Sequence, residues 1–251
     1  MEHYATAQQV WVAGLILFRV GSMVMVMPGV GETYVPPRLR LCLALLIALC
    51  LAPIVAPSLP APPTDLGGMI GAVLKEVLVG LMIGALLRIF MSALTMAGEL
   101  VSLQTTLSFA QTANPTEATP GTTVSTFLSI LGFTLVFATN LHALFIAAIA
   151  RSYTLFPPTK PVMLNDAALL AAETVGKCFA LGLQLAAPVV AFSLVFNLAT
   201  GLVGRAMPQF QVFFVATPLT LLFGLSIFAL SLGGLGLVWM QHYDSFMQLF
   251  I

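Results

Sequence analysis

Residues 201–219 read GLVGRAMPQFQVFFVATPL, a polar cluster between two long apolar runs. The run before it is VAFSLVFNLAT (190–200), and the run after it is TLLFGLSIFALSLGG (220–234). Proline lacks the backbone donor that a helix interior needs, so Pro208 predicts that one helix ends and another begins here. The cluster is therefore either a simple turn between two membrane helices or a segment with a function of its own.

The whole chain has the composition of an integral membrane protein. Of its 251 residues, 59% are hydrophobic and 7% are charged, whereas about a quarter of the residues in a soluble domain are charged. Because lipid cannot satisfy backbone polar groups, the apolar segments are expected to be helices, which predicts an all-α membrane fold. Nine basic residues balance nine acidic residues, so the charge does not point to a nucleic-acid partner.

Sequence motifs for catalysis or cofactor binding are absent. The chain has no HExxH, GxSxG, phosphate-binding-loop or dinucleotide-binding pattern, and its cysteines and histidines are not spaced as metal ligands. We therefore expect no enzyme activity, no cofactor and no metal site.

Polar breaks divide the chain into apolar segments. The breaks combine Pro with Gly, Asn, Asp or Thr, residues that end helices or set turns. No long polar linker and no fixed repeat is found, so we predict a single helical membrane domain. The apolar segments are 10–28, 41–57, 66–91, 92–110, 122–150, 167–204 and 212–240.

Charged residues lie inside several of these segments, at Arg19, Lys75, Glu76, Arg88 and Glu99. A charge at the bilayer centre costs about 2.5–3.5 kcal/mol, so these side chains should face protein, water or the headgroup zone. We expect Glu76, Arg88 and Glu99 to pair with residues of this subunit or of a neighbouring one. For Arg19 and Arg88 the alternative is that the side chain reaches the headgroups from near a helix end.

Glycine spacing predicts close contacts between helices. Gly80 and Gly84 are four residues apart, as are Gly67 and Gly71, and small residues at this spacing let a second helix approach closely. The alternative is that glycine is simply frequent in membrane helices.

The positive charges give a contradictory membrane topology. Arg38, Arg40 and Arg205 would place the first and last loops in the cytoplasm, but Arg151 and Lys160 then fall on the opposite side. Either the spans are miscounted, or the chain does not cross a bilayer in the ordinary way.

A polar stretch, LSFAQTANPTEATPGTT (107–123), separates two apolar helices. It cannot be helical throughout, because each of its prolines disfavours helix in the residue before it. A plain connector could be half as long, and non-helical backbone at membrane depth is tolerated only inside protein or beside water. The stretch is therefore either a built element of the membrane domain or an ordinary periplasmic surface loop.

Four blocks follow one another along the chain. They are LFRVGSMVMVMPGVGETYVPPRLRLCLALLIALCLAP (17–53), KEVLVGLMIG (75–84), AGELVSLQTTLSFAQTANP (97–115) and NLATGLVGRAMPQFQVFFVATPL (197–219). In this order they resemble the FliR family of flagellar biosynthetic proteins, the R subunits of the type III secretion export gate. The resemblance covers about residues 10–240. Gln211 departs from it, because the family is expected to have Asn there, which puts that side chain's contact in doubt.

The resemblance implies a subunit of a larger assembly. R subunits of this family join P and Q subunits in a closed pore that passes unfolded substrates across the bacterial inner membrane, partly above the bilayer plane. Residues 1–166 would resemble a P subunit, and residues 167–251 a Q-subunit hairpin. The implied partners are the P and Q subunits, the B and A membrane proteins of the export apparatus, unfolded export substrates and lipid, at the flagellar basal body.

The resemblance also implies roles for individual residues. Residues 107–121 would plug the pore, with Phe109 packed against an apolar constriction. The further plug residues would be Gln111, Thr112, Asn114, Pro115 and Thr116. The hairpin tip would contact other gate subunits through Arg205, Pro208, Gln209 and Gln211.

Two alternatives stay open. The R subunit of a virulence-type injectisome belongs to the same family. A stand-alone small-solute transporter would use Lys75, Glu76, Arg88 and Glu99 as a coupling site. Such transporters usually show two similar halves, a symmetry that the order of segments here does not have.

Overall fold

The computed structural model of the chain describes residues 7–32, 35–108, 121–160, 164–207, 209 and 211–250. These ranges are helices and their connections, with no strand among them, and the predicted all-α fold class is confirmed. Two short 3-10 turns, Ala56–Ser58 and Gln248–Phe250, extend the ends of helices. The α-helices are Ala7–Val26 (α1), Pro37–Val55 (α2), Leu66–Gln104 (α3), Thr123–Ala138 (α4), His142–Leu155 (α5), Leu164–Ala206 (α6) and Val212–Met247 (α7).

Five helices of the described ranges are long and apolar enough to cross a membrane, or six spans if α4 and α5 together form one broken span. Helices α1 and α2 have 20 and 19 residues, close to the roughly 20 that span the hydrocarbon core. Helix α6 has 43 residues, or about 65 Å at 1.5 Å per residue. That length is about twice the 30 Å thickness of the core, so an upright helix of this length is too long to fit within the hydrocarbon.

Two predicted segment boundaries are wrong. The segments 66–91 and 92–110 form one continuous helix, α3, which ends at Gln104. No Pro or Gly lies between residues 85 and 97, and Thr95 donates its hydroxyl to the Ser92 carbonyl oxygen of the same helix (2.7 Å). The Thr95 hydroxyl therefore has a hydrogen-bond partner within α3, and the helix continues through this polar stretch.

The second wrong boundary is the single segment 122–150, which the structure divides into α4 and α5. Asn140 lies between them with a φ of 59°. This left-handed conformation cannot continue a right-handed helix. Asparagine tolerates the conformation better than most residues do, so the break needs neither Pro nor Gly.

The chain forms two compact units. The first comprises Met1–Phe90, Asn140–Val175 and Ser245–Ile251, and the second comprises Met91–Thr139 and Gly176–Asp244. Each unit takes residues from both sides of position 166, so the division into a P-like part and a Q-like hairpin stays a prediction.

In the first unit, α1 packs on α3 at two glycines. A Cβ atom at Gly80 would collide with the Ser22 hydroxyl and the Arg19 carbonyl oxygen, and one at Gly84 would lie 3.0 Å from the Met23 carbonyl oxygen. The two glycines therefore let the helix backbones approach each other, as small residues do at helix contacts in membranes.

The second unit has similar close contacts. A Cβ atom at Gly98 of α3 would collide with the backbone of Ser125 in α4. One at Gly182 of α6 would lie 3.1 Å from the Ala93 carbonyl oxygen of α3. These contacts place α4 and α6 against the second part of α3.

Candidate functional site

A buried ion pair joins α1 to α3. Arg19 Nε lies 2.6 Å from Glu76 Oε2, and Arg19 Nη2 donates to Glu76 Oε1 at 3.0 Å. Both side chains are excluded from solvent, with 0% and 2% of their surface exposed. The two parallel hydrogen bonds match the planar guanidinium to the carboxylate, which is the strongest form of such a pair.

Arg19 also binds the C-terminal end of α5. Its Nη1 donates to the Ser152 carbonyl oxygen at 3.0 Å, and its Nη2 donates to the Phe156 carbonyl oxygen at 3.0 Å. The guanidinium carbon lies 4.1 Å from the centre of the Tyr153 ring. A cation is favourable here, because the C-terminal end of a helix carries partial negative charge.

Lys75 holds the segment that follows α5. Its ammonium group donates to the carbonyl oxygens of Pro157, at 3.3 Å, and of Pro158 and Lys160. Together with Arg19 and Glu76, it forms a polar cluster that joins α1, α3 and the end of α5 within the first unit.

The two remaining predicted charges have different surroundings. Arg88 is exposed, and its Nη2 lies 3.7 Å from Glu32 Oε1. Glu99, in the second unit, is half-buried and accepts a hydrogen bond from the backbone N–H of Thr122 at 2.9 Å. A partner within this chain therefore lies beside each of Glu76, Arg88 and Glu99, while contacts with other subunits stay predictions.

The hairpin tip lies between α6 and α7. Arg205 is exposed in the last turn of α6, where its charge complements the helix dipole. Gln209 and Gln211 are also exposed, and Pro208 lies outside the described residues. A Cβ atom at Gly204 would lie 4.0 Å from Val212, so the two helix ends are close together.

The predicted plug falls largely outside the described residues, but both of its ends are described. Thr106, just before it, has a φ of 61°, and Gly121, its last residue, has a φ of 110°. The plug residues that lie outside the described part are Phe109, Gln111, Thr112, Asn114, Pro115 and Thr116.

A groove of about 520 Å³ in the second unit has no counterpart in the sequence analysis. Its lining is mainly Leu, Val and Ala of α6, with Gln104 of α3 at one side. Ser193 donates its hydroxyl to Gln104 Oε1 at 2.7 Å and so connects the two helices. Gln104 and Ser193 are polar residues within two mainly apolar helices, and this polarity is the sequence feature that could have indicated the groove.

Comparison with known proteins gives consistent matches. The sequence profile described as "Bacterial export proteins, family 1" matches residues 10–246. Flagellar biosynthetic protein FliR of Caulobacter vibrioides is 59% identical over 250 residues, covering 100% of both chains. FliR of Pectobacterium carotovorum is 31% identical over 216 residues (85% of this chain, 81% of the relative). FliR of Escherichia coli K12 is 30% identical over 215 residues, with the same coverage.

Proposed function

Because the chain belongs to family 1 of the bacterial export proteins and, within it, to the FliR flagellar biosynthetic proteins, we propose a role in the flagellar export gate. In this proposal it is the single-copy R subunit of the gate. It would join P and Q subunits in a closed pore for unfolded flagellar substrates in the bacterial inner membrane, at the basal body. Its role would be structural, without catalysis of its own. The observation that carries the proposal is the 59% identity over the full length of both chains.

The polar cluster around Arg19 supports a place inside an assembly. Arg19 is near the middle of α1, so a conventional span would put the cluster deep in the hydrocarbon. The non-helical backbone of Pro157 and Pro158 is held at the same cluster by Lys75. Such backbone is tolerated at membrane depth only inside protein or beside water, which favours a unit surrounded by other subunits or raised out of the bilayer.

The C-terminal hairpin has an apolar surface suited to partner helices. Leu202, Phe214 and Leu230 are 69%, 79% and 86% exposed. Apolar surface of this kind is normally covered by lipid or by another protein. In the proposed assembly, Q subunits cover part of it.

Deletion of the gene tests the flagellar role. The deletion strain should lose secretion of flagellar hook and filament proteins and lose swimming, and the restored gene should recover both. The relatives reported above are flagellar, which favours this role over an injectisome. Normal flagellar secretion in the deletion strain, with loss of effector secretion, would instead indicate an injectisome subunit.

The small-solute transporter is the weaker alternative. Its coupling site would need Lys75, Glu76, Arg88 and Glu99, but Glu76 is occupied by Arg19 and Lys75 by three carbonyl groups. Liposomes that contain the purified chain alone should show no ion-driven solute uptake. Uptake that disappears in Glu76→Gln would support the transporter instead.

We further propose that residues 107–121 close the pore, with Phe109 at an apolar constriction. Deletion of residues 110–119 in the assembled gate should increase ion leak across the membrane. The matched control is a deletion of residues 59–63 in the Pro-rich connector between α2 and α3, which should leave the membrane tight. An assembled gate that lacks residues 110–119 and does not leak would show that the stretch is a surface loop.

A further inference from the structure

The first turn of α4 is attached to α3 by a carboxylate of α3, that of Glu99. Thr122 is the N-cap residue of α4, and its hydroxyl accepts a hydrogen bond from the Ser125 N–H at 3.3 Å. In a capping box, a Glu or Gln at the position of Ser125 would accept the N–H of the N-cap residue in return. Here Glu99 of α3 accepts the Thr122 N–H at 2.9 Å and takes that place.

We propose that Glu99 is a positioning residue, which fixes the end of α4 where the chain leaves the proposed plug. A carboxylate at the N-terminus of a helix is also favoured by the helix dipole. The consequence for channel closure rests on the proposed function, whereas the attachment of α4 to α3 does not.

Two glycines make this attachment possible. Gly98 is buried where a Cβ atom would collide with the Ser125 backbone, so α3 and the first turn of α4 are in direct backbone contact. Gly121 has a φ of 110°, and a Cβ atom there would lie 2.9 Å from Ser125 Oγ. A residue with a side chain is strained in this conformation. The chain therefore enters α4 along one path, beside the Glu99 carboxylate.

The other end of the plug segment is held by different contacts. Thr105 is buried, and its hydroxyl donates to the Val101 carbonyl oxygen at 2.9 Å. Thr106 has a φ of 61°, a conformation that a β-branched residue adopts only when its surroundings impose it. These contacts do not involve Glu99, so loss of its carboxylate should release the α4 end and leave the α3 end in place.

The test compares Glu99→Ala with Glu99→Gln in the assembled gate. Hydrogen–deuterium exchange of residues 121–125 measures the attachment, and ion leak measures the consequence. The hydrogen bond has a charged acceptor, so Glu99→Ala should speed exchange of the Thr122 amide by about tenfold or more. Glu99→Gln keeps an acceptor oxygen and should retain most of the protection and a tight membrane. Thr95→Ala, an exposed hydroxyl one turn earlier on α3, is the matched control.

A second substitution pair removes the donor instead of the acceptor. Thr122 has a φ of −77°, which proline adopts, so Thr122→Pro deletes the N–H at a φ angle that the proline ring permits. Thr122→Val deletes the hydroxyl and keeps the N–H. A gate with Thr122→Pro should leak more ions than a gate with Thr122→Val. Adding Glu99→Ala to Thr122→Pro should not increase the ion leak further.

The outcomes separate the two proposals. Unchanged exchange in Glu99→Ala overturns the positioning role. In a gate that leaks when residues 110–119 are deleted, equal leak in Thr122→Pro and Thr122→Val overturns it as well. Faster exchange without leak, in a gate that leaks when residues 110–119 are deleted, shows that the attachment does not position the plug and also overturns it. If the deletion itself does not leak, the proposed plug is wrong, while the exchange result still decides whether Glu99 holds α4.

Discussion

Breaking the buried Arg19–Glu76 pair should destabilise the chain more than removing an exposed charge does. Glu76→Leu leaves the Arg19 guanidinium buried beside two carbonyl groups, and Arg19→Met leaves the Glu76 carboxylate buried without its cation. Loss of one partner of a buried pair costs roughly 3–5 kcal/mol. Since 1.4 kcal/mol is about a factor of ten, each substitution should lower the folding equilibrium constant by roughly two to four orders of magnitude.

The double variant Arg19→Met/Glu76→Leu should be more stable than either single variant. It leaves no buried charge at this pair, and the Ser152 carbonyl oxygen keeps the Phe156 N–H as a donor at 2.9 Å. The half-buried Phe156 carbonyl oxygen loses the Arg19 donor, which costs at most the roughly 1–3 kcal/mol of a buried acceptor without a donor. The two substitutions should therefore be strongly coupled in a double-mutant cycle.

Unfolding of the purified chain in mixed micelles, by titration with dodecyl sulfate, measures these free energies. The matched control is Arg88→Met, because Arg88 is exposed and lies 3.7 Å from the partly exposed Glu32, and such a pair contributes at most about 1 kcal/mol. Single variants no less stable than Arg88→Met would refute the buried pair. A double variant as unstable as the sum of the two single variants would refute their coupling.

Two further substitutions test the helix contact and the hairpin tip. Gly80→Ala should destabilise the chain by about 1–3 kcal/mol through overpacking. The control Gly71→Ala should be neutral or slightly stabilising, because a Cβ atom at Gly71 meets nothing within 4 Å. Equal effects of the two substitutions in the micelle titration would contradict the α1–α3 contact. Arg205→Ala should lower the unfolding free energy of the isolated chain by at most about 1 kcal/mol, because Arg205 is exposed and only its interaction with the helix dipole is lost. It should also reduce the amount of other gate subunits that co-purify, and normal assembly and export would mean that the tip is a solvated turn.

Local signals in the sequence predicted the fold class and the starts of α3 and α7, at residues 66 and 212. Asp65 immediately precedes α3, and its carboxylate accepts the Gly68 N–H at 2.7 Å, as an N-cap residue does. Helix α2 begins at Pro37, before the predicted start at residue 41, because the missing N–H of a proline costs no hydrogen bond in the first turn of a helix. The break at Asn140 was missed because its cause is one left-handed residue within an apolar run.

Contacts between distant residues could not be predicted in the same way. The sequence shows that Arg19 and Glu76 need partners, but it does not show that Arg19 binds the carbonyl oxygens of Ser152 and Phe156. Every residue has a carbonyl group, so no residue type identifies these acceptors. The same limit applies to the Thr122 N–H that Glu99 accepts.

Glycine spacing was informative but not sufficient. Gly67 and Gly71 have the same spacing as Gly80 and Gly84, yet a Cβ atom at Gly71 would meet nothing within 4 Å. The two pairs differ in what packs against them. That difference depends on the tertiary fold, because spacing defines a helix face without identifying its neighbour.

The copy number of this chain in the native complex is the most direct test of the proposed gate. The chromosomal gene would carry an affinity tag, and the complex extracted from the membrane would be weighed intact by native mass spectrometry. We predict one copy of this chain together with several copies of each of two other small membrane proteins. A tagged chain that is recovered alone, or only with further copies of itself, would contradict the proposed gate.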